Sequence, residues 1–315
     1  MTIGKGLYKN VEAVALENEQ LKVQILPDWG AKTASLVYKS KNYELLWQNP
    51  DAEYRITGYG APYPDGEFSG FDEMFPSISR CYYEDAPWAG TEIPDHGEVW
   101  SLPWSYSAHS GRAVFRVDGV RFPYTLEKTV WLDGAKLHSR YRLSNRSRFP
   151  FHFIWAAHPL FKAVPGMRFI VPSDLKEIVN SVPGPVLGGY GDRHTFPRTS
   201  GIDLSTVPPQ DTKGYQKYYF LGKVQEGWCR LDNPEANLSI TISFSPDRVP
   251  YLGMWFNQGG WAGQYNIAPE PCTAAMDRID LSRLWQAGSS IAPLETWEWE
   301  LDFDITRRLG QPGDE

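Results

Sequence analysis

The sequence predicts an all-β protein in which large antiparallel sheets pack face to face as a sandwich. Most hydrophobic segments alternate apolar and polar residues with a period of two, as strands with one buried face do. A helical period of 3.6 is confined to residues 280–286. Residues typical of turns separate the alternating segments. This pattern disfavours an alternating β-α architecture and any doubly wound nucleotide-binding fold.

The predicted strands begin near the amino terminus. Leu21, Val23 and Ile25 alternate with polar residues, and a Pro-Asp-Trp-Gly turn at residues 27–30 precedes the next strand at residues 36–38. Further alternation predicts strands, in chain order, around residues 115–117, 124–131, 137–143, 238–244, 252–256 and 297–305.

Two local signals refine these strands. Asp133 and Gly134 form a pair typical of a two-residue hairpin turn, which predicts that the strands on either side are antiparallel neighbours. The strand at 297–305 places four acidic residues on one face, so that face is expected to contact water.

Two long stretches rich in Pro, Gly and Asp, residues 54–70 and 183–209, interrupt the strands. Long loops on a sandwich of this size commonly shape a binding site. The chain has neither a compositional break typical of a linker nor a repeat of fixed period. We therefore expect a single domain over residues 1–315. If a boundary divides the chain, residues 183–209 are where we expect it.

The composition limits the classes of partner and compartment. A net charge of -7 argues against nucleic acid and anionic membranes, and favours a neutral ligand. Three cysteines without CxxC spacing indicate neither a disulfide framework nor a zinc ribbon. No segment has the roughly 20 apolar residues that span a bilayer, and the first ten residues lack the apolar core of a secretion signal. These features predict a cytoplasmic protein.

The aromatic content is high, with 13 Trp, 17 Tyr and 15 Phe. Aromatic rings exposed in a groove stack on the C–H faces of sugars. Strand preference for aromatic residues explains the same numbers equally well.

The residues that can carry chemistry are grouped beside the predicted strands. His158 ends an aromatic run that begins at Phe151, and Glu270 lies between two prolines about a hundred residues later. An imidazole that faces a carboxylate is a candidate acid/base pair. Asp72 and Glu73 form a second group, and Asp95, His96 and Glu98 form a third.

In this order the motifs resemble the aldose 1-epimerase, or galactose mutarotase-like, superfamily over nearly the whole chain. The residues that carry the resemblance are Leu26, Pro27, Gly30, Asp95-His96-Gly97-Glu98, Leu143-Ser144-Asn145, His158-Pro159-Leu160-Phe161, Trp255, Asn257 and Glu270-Pro271. The resemblance implies a β-supersandwich and a reaction without cofactor or metal, in which a sugar ring opens and recloses at the anomeric carbon. A small sugar would then be the substrate, with neither nucleic acid nor membrane as a partner, and the oligomeric state stays open.

The resemblance also implies roles for individual residues. Glu270 would be the base and His158 the acid, because a carboxylate with a pKa of about 4.3 is charged at neutral pH and a nearby anion keeps an imidazole protonated. His96 would be a second donor to the sugar. The other expected substrate-binding residues are Asp72, Glu73, Arg80, Trp255 and Asn257.

Purely structural roles remain open for most of these residues. His158 and His96 could be hydrogen-bonding residues at strand ends, and Glu270 could merely end a strand. Asp72 and Glu73 could cap a loop, and Trp255 could belong to the core.

The substrate is also open, because no Asn-Arg motif stands at the place where galactose mutarotases have their substrate-binding arginine. A phosphorylated sugar would need a cluster of basic residues. The available candidates are Arg80, Arg193, His194 and Arg198.

Three other functions compete with epimerisation. A carbohydrate-binding or regulatory protein would keep the groove without turnover. Glycoside cleavage would need two of Asp72, Glu73 and Glu270 at about 5 to 10 Å from each other. A metal site at Asp95, His96 and Glu98 is the weakest alternative.

Overall fold

The computed structural model describes residues 1–50, 54 and 57–308. Residues 55 and 56 of the first predicted loop, and residues 51–53 and 309–315 of the predicted single domain, lie outside the described residues.

The described residues form strands and short helical turns. In chain order the strands are β1 (Thr2–Tyr8), β2 (Val11–Glu17), β3 (Leu21–Leu26), β4 (Lys32–Tyr38), β5 (Tyr43–Glu44), β6 (Phe71–Met74), β7 (Cys81–Tyr82), β8 (Glu92–Ile93), β9 (Ser105–His109), β10 (Arg112–Asp118), β11 (Tyr124–Asp133), β12 (Lys136–Asn145), β13 (Phe151–Phe153), β14 (Ala156–Pro159), β15 (Phe161–Lys162), β16 (Arg168–Ile170), β17 (Glu177–Val182), β18 (Arg193–Thr195), β19 (Arg198–Thr199), β20 (Ile202–Asp203), β21 (Tyr215–Phe220), β22 (Trp228–Asn233), β23 (Leu238–Phe244), β24 (Tyr251–Gln258), β25 (Tyr265–Cys272), β26 (Ser289–Ile291) and β27 (Thr296–Arg307). The α-helix α1 spans Ile279–Leu284, and 3-10 turns span Lys39–Lys41, Tyr63–Asp65, Val99–Ser101 and Gln210–Thr212.

Two large antiparallel sheets dominate the fold. The larger has 13 strands and runs β1-β2-β3-β4-β6-β14-β25-β24-β21-β17-β18, with β5 paired to β4 and β15 paired to β25. The smaller has eight strands in the order β16-β22-β23-β27-β12-β11-β10-β9. The prediction of an all-β protein with large antiparallel sheets is confirmed.

The local predictions are also confirmed. Each predicted strand segment lies within a strand, and β11 pairs with β12 across the hairpin that contains Asp133 and Gly134. The predicted helix at residues 280–286 corresponds to α1. On β27 the side chains of Trp299, Leu301 and Phe303 are buried, whereas the acidic residues between them are exposed or half-buried. The second predicted loop, residues 183–209, contains the short strands β18, β19 and β20 rather than irregular chain alone.

A hydrophobic core fills the space between the two large sheets. Aromatic contacts join them: the ring of Phe71 on β6 lies 5.6 Å from that of Phe303 on β27, and the ring of Trp155 lies 5.1 Å from that of Trp299. The same space holds a buried ion pair between Glu73 on β6 and Lys128 on β11, with 2.8 Å between Oε1 and Nζ. The inner face of the large sheet is therefore committed to the core, and its outer face is available for a site.

Candidate active site

A cavity of about 230 Å³ opens at the outer face of the large sheet. Its wall combines aromatic, apolar and charged side chains from several strands and from residues 63–68, within the first predicted loop. The lining residues are Tyr63, Pro64, Phe68, Ile78, Ser79, Asp95, His96, His158, Leu160, Val182, Lys217, Trp255, Trp261, Gln264 and Asp277. A cavity with apolar walls and a few converging polar groups is suited to a small organic ligand.

Strand register brings His158 and Glu270 to this wall from neighbouring strands. Ala156 on β14 pairs with Cys272 on β25, so His158 and Glu270, each two residues from that pair, project from the same face. The Nε2 atom of His158 lies 3.7 Å from the Oε1 atom of Glu270. The two residues that the sequence predicts as an acid/base pair are therefore neighbours in the structure.

Glu270 is fully buried and is not among the residues that line the cavity, but its carboxyl group contacts His158 and Lys217, which do line it. Its Oε1 atom accepts no hydrogen bond from the described residues. A buried carboxylate oxygen without a donor is costly, which is typical of a functional position.

Burial sets the protonation states of the pair. It lowers the pKa of His158 well below the ordinary value of 6.5, and the positive charges of His96, Lys217 and Lys32 lower it further. It raises the pKa of Glu270 to about 7, even though Lys217 acts in the opposite direction. The expectation that a nearby anion keeps His158 protonated at neutral pH is therefore wrong: the imidazole is neutral.

Two charged residues at the centre of the site were not predicted from the sequence. Lys217 on β21 donates a hydrogen bond to Oε2 of Glu270, and its Nζ lies 3.7 Å from Oδ1 of Asp277. Burial by itself would lower the pKa of Lys217, but the negative charges of Glu270 and Asp277 raise this pKa above its ordinary value. Tyr219 donates a 2.6 Å hydrogen bond to the same oxygen of Asp277. The only sequence signal for Lys217 is a single cation within an aromatic strand segment.

Tyr63 connects the two histidines. Its ring stacks on that of His96 with 3.8 Å between centroids, and its hydroxyl lies 3.3 Å from Nδ1 of His158. The same hydroxyl donates a 3.0 Å hydrogen bond to Asp72, so its oxygen is free to accept the proton of His158 Nδ1. In that arrangement the neutral imidazole leaves Nε2 unprotonated on the side of Glu270.

His96 lies on the cavity wall in an unusual backbone conformation. Its φ of +59° belongs to the left-handed region, and its Nδ1 lies 3.0 Å from Oδ1 of Asp95. The next residue, Gly97, has φ of +77°, and a Cβ there would lie 2.0 Å from the carbonyl oxygen of Phe75. This close approach explains why glycine follows the histidine in the predicted motif.

The neighbouring carboxylates Asp72 and Glu73 point to opposite faces of β6, as alternation in a strand requires. Asp72 pairs with His158 across the strands and is held by Lys32 and Tyr63, each at 3.0 Å. Glu73 faces the core, where it contacts Lys128 and accepts hydrogen bonds from Tyr141 and Trp155. The predicted sugar contact of Glu73 is not supported by this position, and Asp72 supports the histidine side of the site.

The remaining predicted binding residues separate into two groups. Trp255 lines the cavity. Asn257 is fully buried and binds the backbone of Gly259 and Trp261, so it shapes the turn that presents Trp261. The side chain of Arg80 is 62% exposed and pairs with Glu92. Neither Asn257 nor Arg80 lines the cavity.

The candidate phosphate-binding residues do not converge on the cavity either. The side chain of Arg198 is 80% exposed and pairs with Asp203, His194 binds the carbonyl of Leu187, and Arg193 lies over the ring of Trp285. Glu98, which the metal hypothesis requires, instead binds Tyr59 and Tyr124. Within the described ranges, no group of three or more His, Cys, Asp or Glu residues is arranged to hold a metal ion.

Comparison with known proteins identifies the fold. A family model described as a domain of unknown function, DUF5107, matches residues 2–92. The Slr1438 protein of Synechocystis has a TM-score of 0.71 at 18% identity, over 94% of this chain and 96% of that one. A galactose mutarotase-like protein of Lactobacillus casei has a TM-score of 0.68 at 20% identity, over 93% and 100%.

A galactose mutarotase related enzyme of Lactobacillus acidophilus has a TM-score of 0.67 at 15% identity, over 94% of this chain and 98% of that one. The predicted galactose mutarotase-like β-supersandwich is therefore confirmed as the fold of this chain. In the part of the chain that the structure describes, no helix is both long and apolar enough to cross a membrane.

Proposed function

We propose that this chain interconverts the anomers of an aldose by opening and reclosing the sugar ring, with His158 and Glu270 as the proton-transfer pair. Ring opening removes a proton from the C1 hydroxyl and adds one to the ring oxygen. Both oxygens are bonded to the same carbon, so the two groups must lie within a few ångströms of each other. The observation that carries the proposal is the 3.7 Å separation of His158 Nε2 and Glu270 Oε1 beside the cavity.

The pair needs only one shared proton. Because burial raises the pKa of Glu270 to about 7 and lowers that of His158, the proton resides on the carboxyl group more readily than on the imidazole. In ring opening the imidazole accepts the C1 hydroxyl proton, the C1–O5 bond breaks, and the carboxyl group protonates O5. Closure on the other face of the aldehyde returns both protons, with His158 as acid and Glu270 as base. In ring opening this proposal reverses the roles implied by the resemblance, in which Glu270 is the base and His158 the acid; His158 is the acid and Glu270 the base only in closure.

The cavity wall favours a neutral sugar. Trp255, Trp261 and Phe68 offer aromatic surface for the C–H face of a pyranose, and polar side chains such as His96 and Gln264 line the same cavity. Among the residues that line it, no arginine is present, and the ammonium of Lys217 already faces two carboxylates. We therefore propose an unphosphorylated aldose as substrate. The cytoplasmic compartment stays a prediction from the sequence.

The test is anomer exchange measured by saturation-transfer NMR over a panel of neutral and 6-phosphorylated aldoses. Wild type should accelerate exchange of at least one neutral aldose. His158→Asn and Glu270→Gln should each lose the acceleration by a factor on the order of 100 or more. Glu298→Gln, which changes a half-exposed carboxylate on β27, is the matched control and should retain it.

Two outcomes would reject parts of the proposal. Binding of sugars without acceleration would favour a carbohydrate-binding protein. Acceleration confined to phosphorylated sugars would contradict the assignment of a neutral substrate. Hydrolysis is less favoured, because Glu73 faces the core and Asp72 is held by Lys32 and Tyr63, so neither is placed as a second catalytic carboxylate beside Glu270.

A further inference from the structure

Lys217 is placed by three neighbouring strands. It lies opposite Trp255 in the β21–β24 pair, and Trp255 lies opposite Ala268 in the β24–β25 pair. Glu270 is two residues beyond Ala268, so the ammonium of Lys217 reaches it diagonally across β24. Only 7% of the Lys217 side chain is exposed, and that part lines the cavity.

A missing side chain on the middle strand makes room for this contact. Gly253 on β24 lies directly between Tyr219 and Glu270 in the register. A Cβ at this position would lie 3.1 Å from the Tyr219 ring and 3.4 Å from Oε2 of Glu270. Any larger residue would occupy the space into which the carboxylate and the ammonium extend.

The two carboxylate oxygens of Glu270 have different surroundings. Oε2 accepts the hydrogen bond of Lys217, whereas Oε1 has no donor among the described residues and faces His158. A carboxylate held at one oxygen by a buried cation has a fixed orientation. The free oxygen is then held toward the site of proton transfer.

We propose that Lys217 is a positioning residue for Glu270: its ammonium holds one carboxylate oxygen and presents the other to His158 and to a ligand in the cavity. The kinetic consequence of this inference rests on the proposed function, whereas the contact between Lys217 and Glu270 does not. Asp277 holds Lys217 from the other side and is itself held by Tyr219. The groups with ionisable side chains around the Glu270 carboxyl are thus Lys217, Asp277, His158, Tyr219 and Cys272.

The proposal makes opposite predictions for two substitutions. Lys217→Met removes the charge and keeps an unbranched chain, so the pKa of Glu270 should rise by about 1 to 3 units above its value near 7. Asp277→Asn removes a negative charge that raises this pKa, so the pKa should fall. Lys217→Arg should keep it close to the wild-type value. The measurement is ¹³C NMR titration of the glutamate carboxyl groups, with Glu270→Gln to assign the signal.

The same variants are also compared by the kinetics of anomer exchange. Lys217→Met should lower kcat for anomer exchange at pH 7 on the order of 100-fold, as expected when a reacting group is misplaced by about 1 Å. Lys217→Arg should recover most of it. A change confined to KM would instead show that Lys217 only binds the sugar, and would overturn the positioning role.

The two failures can be told apart. If wild type accelerates no sugar, the proposed function fails, and the carboxyl titration still tests Lys217. If wild type is active but the pKa of Glu270 does not move in Lys217→Met or in Asp277→Asn, the positioning role is rejected. Should Lys217→Met not fold, Lys217→Gln takes its place, because the amide removes the charge but keeps a polar side chain in the same pocket; an unchanged pKa of Glu270 in Lys217→Gln would also reject the positioning role.

Discussion

The Nε2 atom of His158 lies 3.7 Å from the Oε1 atom of Glu270, across the neighbouring strands β14 and β25. Both groups are removed from water, and burial moves their pKa values in opposite senses, toward the neutral form of each. The two side chains therefore share one proton and do not form an ion pair.

The stability of the protein should depend on pH through His158. Its pKa is lower in the folded protein than the unfolded value of about 6.5, so the unfolded chain binds the proton first as the pH falls. Stability is constant with respect to this group above pH 6.5 and decreases below it, by up to about 1.4 kcal/mol per pH unit until the folded pKa is reached. Urea unfolding at pH 8 and pH 5 should show a smaller decrease for His158→Asn than for wild type.

The rate of anomer exchange should fall on both sides of a mildly acidic optimum. Below the optimum His158 is protonated, so the pair carries two protons and has no base. Above it, Glu270 loses its proton with a pKa of about 7, and the pair has no acid. The dependence of kcat/KM on pH tests this, and a rate that rises through pH 7 to a plateau would show that another group supplies the proton.

Gly253→Ala should reduce activity without a comparable loss of stability. The added methyl group would lie 3.1 Å from the Tyr219 ring, which must move by a few tenths of an ångström, and would contact Oε2 of Glu270 at 3.4 Å. We expect kcat to fall roughly tenfold, whereas the alanine costs less backbone entropy within a strand than glycine. Gly4→Ala is the matched control, because a Cβ at that position on β1 meets no atom within 4 Å.

Tyr63→Phe should distinguish the contribution of the Tyr63 ring from that of its hydroxyl group. The ring keeps its stack on His96, so KM should change little. The hydroxyl that lies 3.3 Å from His158 Nδ1 is lost, so the imidazole is no longer held in one tautomer and kcat should fall roughly tenfold. ¹⁵N NMR of the imidazole reports the tautomer directly; an unchanged tautomer and kcat would remove Tyr63 from the positioning network.

Much of the fold follows from local pattern alone, because alternation with a period of two identifies a strand whatever its partner. The pairing of His158 with Glu270 was predicted from the order of motifs, and the structure brings them together. Alternation would also have separated Asp72 from Glu73, since adjacent strand residues face opposite sides.

Lys217 and Asp277 could not be predicted in the same way. Their positions depend on the β21–β24–β25 register, which is set by contacts between residues far apart in the chain. Tyr63 was missed because its loop contains no periodic signal.

The buried pair of Glu73 and Lys128 limits how this sequence can diverge. Loss of either partner leaves an unpaired charge between the sheets, at a cost of roughly 3–5 kcal/mol. Apolar replacement of both removes the charges but leaves the Tyr141 hydroxyl and the Trp155 indole N–H without their acceptor. Single substitutions at these positions are therefore expected to be purged by selection, and the pair to be inherited or lost as a unit. In distant descendants of this chain, the two positions should covary even though neither contacts the cavity.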